Sequence, residues 1–183
     1  NNRLIVSFKK NIETKPNNSI VVKKVQDQDI NNFLHYRNKE MNVKNSFGGK
    51  KIKRLDHYNW WFDETIKDAY LVSKNNKPIV LLSQKIIKIG KYNFILPSMI
   101  SCDINLSALD LLWAIRFQNK LIDNITKKNK ISVVAIKKDN YFSNQQCKYF
   151  NFKKIDENNK FFLPVKDYIN ISNCNLYMRF IND

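Results

Sequence analysis

The sequence predicts an α/β fold in which about four helices flank a mixed, mostly antiparallel sheet. Residues 69–104 hold apolar runs separated by turn-forming residues, a pattern typical of antiparallel hairpins. A long helical pattern follows over residues 107–125, and residues 131–155 have the pattern of a strand, a short helix and a second strand. Together these segments predict a single sheet with helices packed against it.

Length and composition predict one domain. A chain of 183 residues can bury a proper core, and contents of 43% hydrophobic and 13% aromatic residues are typical of a folded globule. We expect the core over residues 19–166, with residues 1–18 as an N-terminal extension and residues 167–183 as a C-terminal tail.

The apolar runs and the cysteines indicate the setting. The runs are short and interrupted by lysine, and no secretory pattern is recognisable, so neither a membrane span nor export is expected. Three cysteines without CxxC spacing and only two histidines make a metal site unexpected. These features predict a protein of the reducing cytoplasm.

The charge is strongly one-sided, with 32 Lys+Arg against 16 Asp+Glu and a net charge of +16. This excess predicts either a solvated basic surface or an anionic ligand, such as a nucleotide-bearing cofactor and substrate, or a nucleic acid. The arginines are scattered, and bidentate contacts to bases and phosphates favour arginine over lysine. A nucleic-acid partner is therefore the less expected of these ligands.

The first third of the chain has two strand-like runs, at residues 3–8 and 19–24, and two helical patterns. Acidic residues at Asp27 and Asp29 suit the first turn of a helix, which we expect to continue to residue 41. A second helix is predicted around residues 55–64, and we expect its tryptophans and phenylalanine to lie mainly in the core.

Two features mark the middle of the chain. Pro97 falls inside the last strand of the meander, and a proline there implies an edge, a bulge or a break. In the long helix, Ser107 and Asp110 resemble a capping box, and apolar residues around most of the cylinder predict a buried helix.

Near the C-terminal end, residues 131–136 predict a buried strand and residues 141–150 a short helix. Asn151 suits the left-handed conformation that ends a helix, and a second strand follows. The run FFLPV at residues 161–165 predicts a last strand, and residues 176–181 a further strand or a packing segment.

A family resemblance rests on this last helix. Asn140, Ser143 and Phe152 match the Asn-x-x-Ala/Ser-x-x-x-Tyr-x-x-x-Gly-Phe segment of the GNAT N-acetyltransferase superfamily. Cys147 stands where that pattern has tyrosine, and Asn151 where it has glycine.

The resemblance extends towards the N-terminus. Arg37-Asn38, Ser46-Phe47 and the aromatic stretch from His57 to Phe62 are similar to segments of the amino-sugar and ribosomal-protein-modifying GNAT branches. The resemblance implies a GNAT fold, with a bulge at residues 97–101 that opens a slot for the pantetheine arm of acetyl-CoA.

The resemblance also implies cofactor-binding residues. Ala108 fits the last position of the family's pyrophosphate loop, Gln/Arg-x-x-Gly-x-Gly/Ala, whereas Asp103 and Leu106 depart from its first and fourth positions. Either free amides around Ser107, Ala108 and Leu109, together with nearby lysines, would hold the pyrophosphate, or acyl-CoA binding is weakened or lost. Asn140 and Ser143 would border the pantetheine arm.

Acetyl transfer to an amine needs a base and a proton for the leaving thiolate. The base candidates are His57, Glu64, Glu40 and Asp103, with a structural histidine as the alternative for His57. Cys147 occupies the position of the family's tyrosine, so it is either the proton donor or a small packing residue.

These expectations describe an N-acyltransferase that moves an acetyl or other acyl group from acyl-CoA to a primary amine. The amine could be an amino sugar on a nucleotide carrier, or a protein N-terminus. Two other classes remain open: a catalytically inactive GNAT-like binding module, and a basic nucleic-acid-binding protein.

Overall fold

A computed structural model describes residues 20–46, 48–63, 67–125, 129–169 and 173–181. These residues form one sheet of seven strands, with six helices and one 3₁₀ turn. The elements in chain order are β1 (Ile20–Lys24), the 3₁₀ turn (Asp27–Asp29), α1 (Ile30–Arg37), α2 (Glu40–Asn45), α3 (Arg54–Asp63), β2 (Lys67–Lys74), β3 (Lys77–Ile89), β4 (Tyr92–Ser101), α4 (Ala108–Asp123), β5 (Lys130–Lys137), α5 (Tyr141–Tyr149), β6 (Lys153–Ile155), α6 (Phe162–Ile169) and β7 (Cys174–Ile181).

The strand order is β1-β2-β3-β4-β5-β7-β6, and all neighbours are antiparallel except β4 and β5. The predicted class, a mixed and mostly antiparallel sheet with helices, is confirmed. The predicted turns hold as well, because Asn75, Asn76 and Gly90 take positive φ angles of 52°, 62° and 58°. Such angles let tight turns follow the twist of the flanking strands.

Helices cover both faces of the sheet. Val80 and Leu82 of β3 pack with Phe117 of α4, whereas Leu81 between them packs with Phe33 of α1. This alternation follows from the two-residue period of a strand. Among the described residues, no helix is both long and apolar enough to cross a membrane.

The first helical region is two helices, where the sequence predicted one. α1 ends at Arg37 and α2 begins at Glu40, with Lys39 in an extended conformation between them. The Asn38 side chain exchanges two hydrogen bonds of 2.8 Å with the backbone of Ile52, which fixes the break. A side-chain amide that pairs with a distant backbone in this way competes with helix continuation.

α4 is amphipathic, whereas the apolar residues around most of its cylinder predicted a buried helix. Its buried residues are Ala114, Phe117, Gln118 and Ile122, a spacing that defines one face. Leu109 in the first turn is 69% exposed. The apolar residues spread around the cylinder are therefore not all core residues.

The predicted strand at residues 161–165 is wrong, because α6 begins at Phe162. Pro164 lies in the first turn of this helix, where the missing N–H has no intrahelical partner to lose. Residues 174–181, which fall in the expected tail, form β7 between β5 and β6 in the sheet. The strand predicted at residues 3–8 lies outside the described residues.

Candidate active site

β4 and β5 separate partway along their length and leave a cavity between them. They pair in parallel only at three positions, the last of which joins Ile95 to Ser132. β4 continues alongside β3 to Ser101, and β5 continues alongside β7 to Lys137. The opening is a cavity of about 900 Å³ whose walls include residues 96–101 and 133–137.

Pro97 explains the separation without the bulge that was expected. The register of β4 on β3 is unbroken across the Gln84–Pro97 pair, so the predicted bulge is wrong, although the expected opening between β4 and β5 is present. The N–H groups of Asn93 and Ser101 point away from β3, to the Asn129 carbonyl (3.0 Å) and to Asn42 Oδ1 (3.2 Å). Alternate residues of a strand point their amides to one side. Pro97 therefore faces the gap with no N–H to offer β5.

The same alternation directs the N–H of Met99 into the cavity. Met99 lies between Pro97 and Ser101 on β4, beyond the last pair with β5. The sequence alone does not indicate this amide, because the direction of a strand amide depends on which neighbouring strand pairs with which edge.

The helical pair α1–α2 is clamped onto the end of β4. Asn42 Nδ2 donates to the Ser101 carbonyl at 2.8 Å, and Lys39 Nζ donates to the Cys102 carbonyl. The Asn38–Ile52 bonds hold the following loop, so that Lys50 and Ile52 border the cavity. These contacts hold α2 and the following loop at the border of the cavity.

The start of α5 forms the other wall. Asn140 caps the helix by accepting a hydrogen bond from the Ser143 N–H at 3.2 Å, and both residues line the cavity. Asn144 anchors this turn, since it donates to the Lys137 carbonyl at 2.9 Å and accepts from Tyr177 Oη at 2.8 Å. The structure thus brings both predicted pantetheine-binding residues to the cavity.

Cys147 also lies in this wall, but its environment is apolar. It is 7% exposed and packs with Phe152 and Tyr177. Desolvation raises the pKa of its thiol to about 12. A thiol with this pKa is a poor proton donor to a coenzyme A thiolate, so the environment matches the packing alternative.

His57 lies in the α1–α3 core and is not among the residues that line the cavity. It is 1% exposed, its Nε2 is 3.3 Å from the Ile30 carbonyl, and its ring stacks on Trp60 at 5.5 Å. This is the structural alternative for His57, and the geometry does not support its role as a base. Glu64 lies outside the described residues.

Of the other carboxylate candidates, Asp103 borders the cavity and Glu40 does not. Asp103 lies two residues beyond the end of β4, and its Oδ1 accepts a hydrogen bond of 2.9 Å from the Asn105 N–H. This leaves Asp103 as the base candidate whose position matches the cavity.

The N-terminus of α4 already holds a negative charge. Ser107 is the N-cap and accepts from the Asp110 N–H at 3.1 Å, as its spacing predicted. The Asp110 carboxylate accepts from Ser107 Oγ at 2.7 Å and pairs with Lys74 Nζ at 2.9 Å. Ser107, Ala108 and Leu109 are exposed and lie outside the cavity lining.

Solved structures with the same fold include several acetyltransferases. A domain from Methanocaldococcus jannaschii superposes with a TM-score of 0.69 at 15% identity, over 90% of this chain and 99% of that one. An aminoglycoside N(6')acetyltransferase from Legionella pneumophila gives 0.62 at 12% identity, over 88% and 92%. RimL, a ribosomal L7/L12 α-N-protein acetyltransferase solved in complex with coenzyme A, gives 0.60 at 12% identity, over 88% and 94%. The chain has the GNAT fold.

The likeness is one of structure and not of sequence. No family model and no curated protein matches the chain. The resemblance inferred from the Asn140–Phe152 segment is therefore confirmed at the level of the fold.

Proposed function

We propose that the chain is an N-acyltransferase that moves an acyl group from acyl-CoA to a primary amine. The observation that carries the proposal is the cavity between β4 and β5, with Asn140 and Ser143 in one wall and the Met99 amide in the other. The GNAT fold supports the same reading, because RimL with this fold was solved with coenzyme A.

In this proposal the chain supplies orientation and charge stabilisation. The Met99 N–H would donate to the thioester carbonyl oxygen as negative charge develops there. Because Asn140 Oδ1 caps α5, its Nδ2 would donate to the amide groups of the pantetheine arm. Asp103 would accept the proton that the amine loses as its nitrogen bonds to the carbonyl carbon. The thioester C–S bond breaks, and the thiolate takes a proton from water.

The pyrophosphate end is the weakest part of the site. Ser107, Ala108 and Leu109 would offer amides at the N-terminus of α4, where an anion is favoured by the helix dipole. The Asp110 carboxylate in the same turn opposes that attraction. We therefore expect modest affinity for acyl-CoA.

This charge also favours a second candidate, a GNAT-like module that binds a partner without transferring an acyl group. Asp110 at the α4 N-terminus and the buried Cys147 would both be tolerated in such a module. If the chain is a binding module, no amine is acetylated. If it is an N-acyltransferase, at least one amine is acetylated.

The proposal is tested by incubating the protein with acetyl-CoA and a panel of amines, including a nucleotide-linked amino sugar and peptides with free N-termini. Released thiol is measured with a chromogenic reagent, and acetylated product by mass. Ser143→Trp, which would fill the cavity from α5, should abolish release. Gln145→Trp on the exposed side of the same helix is the matched control and should not. Absence of release with every amine, in folded protein that binds acetyl-CoA, would favour the binding module.

A further inference from the structure

A second, smaller pocket opens beside the main cavity, on the side of α1 and α3. Its volume is about 180 Å³, which is room for several water-sized groups. Arg37, Leu96 and Ser98 line both pockets, so the two adjoin. A molecule held at the Met99 amide could therefore extend into this side pocket.

Arg37 brings an uncompensated positive charge to the junction. It is the last residue of α1, and its guanidinium carbon lies 5.3 Å from the centre of a Trp60 ring. Burial lowers the pKa of this guanidinium, which still leaves it a cation at neutral pH. Within the described ranges, Arg37 forms neither a hydrogen bond nor an ion pair. A guanidinium carries five N–H donors, and those of half-buried Arg37 are available to a ligand in the pocket.

Gln84 contributes a second unsatisfied group to the same pocket. It is 8% exposed, and its Oε1 is buried with no hydrogen-bond partner among the described residues. Buried polar atoms in proteins are normally paired, and an exception calls for an explanation such as a functional role or a bound water or ion. The pocket therefore has groups for an anion and for a hydrogen-bond donor.

We propose that this side pocket binds an anionic group on the acceptor, and that the acceptor is a small amine carrying a carboxylate or a phosphate. Arg37 would hold the anion through paired N–H donors, a geometry that suits both groups. Gln84 Oε1 would accept from an N–H or O–H of the same molecule. This inference rests on the proposed acyl transfer and names its substrate class.

A purely structural role and a ligand-binding role for Arg37 predict different effects of its replacement on the melting temperature. Its position at the C-terminus of a helix and its contact with Trp60 are both stabilising. If these contacts were its purpose, Arg37→Met would lower the melting temperature. If the charge is kept for a ligand, removing it should leave the melting temperature unchanged or raised, since a half-buried charge without an ion-pair partner is lost.

The test compares matched acceptors in the acetylation assay: an amino acid against its carboxamide, and an aminoalkyl phosphate against the aminoalcohol. The wild type should have a KM at least about tenfold lower for the acidic member of the favoured pair, and the pair that responds identifies the anion. Arg37→Met should lose this preference. Arg116→Gln, at an exposed position of α4, removes an equal charge elsewhere and should keep the preference.

Equal KM values for acidic and neutral members, or a preference that survives in Arg37→Met, would overturn the inference. Failure of acyl transfer itself is distinguishable, because no amine would then be acetylated. In that event the shift of the melting temperature decides the inference. An acidic amine should raise it in the wild type but not in Arg37→Met, and equal shifts in both proteins would overturn the pocket's assignment.

Discussion

Ile95 of β4 and Ser132 of β5 form the last pair between two parallel strands that then separate. Beyond this point β4 remains paired with β3, and β5 remains paired with β7. The sheet therefore opens only between β4 and β5. Pro97, two residues beyond Ile95, has no N–H to extend the ladder. Pro97 thus lies at the point where the cavity on which the proposed function depends begins to open.

Replacing Asn140 should separate its structural role from its role in binding. Asn140→Ala removes the helix cap and should lower the free energy of unfolding by about 1 kcal/mol. Asn140→Asp keeps an acceptor for the Ser143 N–H but adds a negative charge at the cavity. It should keep stability and weaken binding of the anionic acyl-CoA. Denaturant titration and calorimetry measure the two effects, and unchanged affinity in both variants would contradict the role of Asn140.

Asp103→Asn should slow catalysis without unfolding the protein. The amide retains an acceptor for the Asn105 N–H, but it cannot take up a proton. We expect kcat to fall by about 10² or more, the usual effect of losing a general base. Steady-state kinetics on the acetylated amine give this value, and an unchanged kcat would show that solvent accepts the proton.

His57→Ala should lower the stability of the protein without slowing catalysis. His57 is buried against Phe33 and Trp60, with ring centres 5.4 and 5.5 Å away, so its truncation leaves a cavity in the α1–α3 core. We expect the free energy of unfolding to fall by about 2 kcal/mol or more, with kcat per folded molecule unchanged. A loss of kcat without a loss of stability would restore the catalytic interpretation of His57.

The buried thiols should make the protein less stable at alkaline pH. Desolvation raises the pKa of Cys102 and Cys147 from 9.0 to about 12, so above pH 9 the unfolded chain loses these protons before the folded one. The stabilisation is complete below about pH 9 and is lost as the pH rises towards 12. Unfolding measured between pH 8 and 11 should show a slope that is shallower in Cys102→Ala/Cys147→Ala. An identical slope would exclude the thiols as its source.

Neutralising Asp110 should strengthen acyl-CoA binding at a cost in stability. Asp110→Asn removes the anion that competes for the α4 N-terminus, and it also removes the ion pair with Lys74. A charge at a helix terminus contributes about 0.3–1 kcal/mol, so affinity should rise by roughly two- to fivefold. Calorimetry of both proteins at low salt checks this. A fall in affinity would place the phosphates elsewhere.

Local chemistry explains which elements the sequence predicted correctly. The turns at Asn75-Asn76 and at Gly90 need positive φ angles, and Asn151 takes φ of 61° after α5, so residue type alone indicated them. The run FFLPV was misassigned because aromatic residues favour strands, while its proline is equally at home in a first helical turn.

Only those site residues that belong to a recognisable family motif could be predicted from the sequence. Asn140 and Ser143 border the cavity as the family pattern implied. The position of His57 depends on how α1 packs against α3, which no local pattern encodes. The Met99 amide and the Arg37 guanidinium gain their significance from the gap between β4 and β5, a property of strand pairing rather than of the residues themselves.

The most direct measurement is a calorimetric titration of the protein with acetyl-CoA, with desulfo-CoA as a non-reactive ligand. The wild type and Gln145→Trp should bind both with a Kd in the micromolar range, and Ser143→Trp should bind neither. Absence of detectable heat from the folded wild type at millimolar ligand, or unchanged binding by Ser143→Trp, would contradict the assignment of the β4–β5 cavity as an acyl-CoA site.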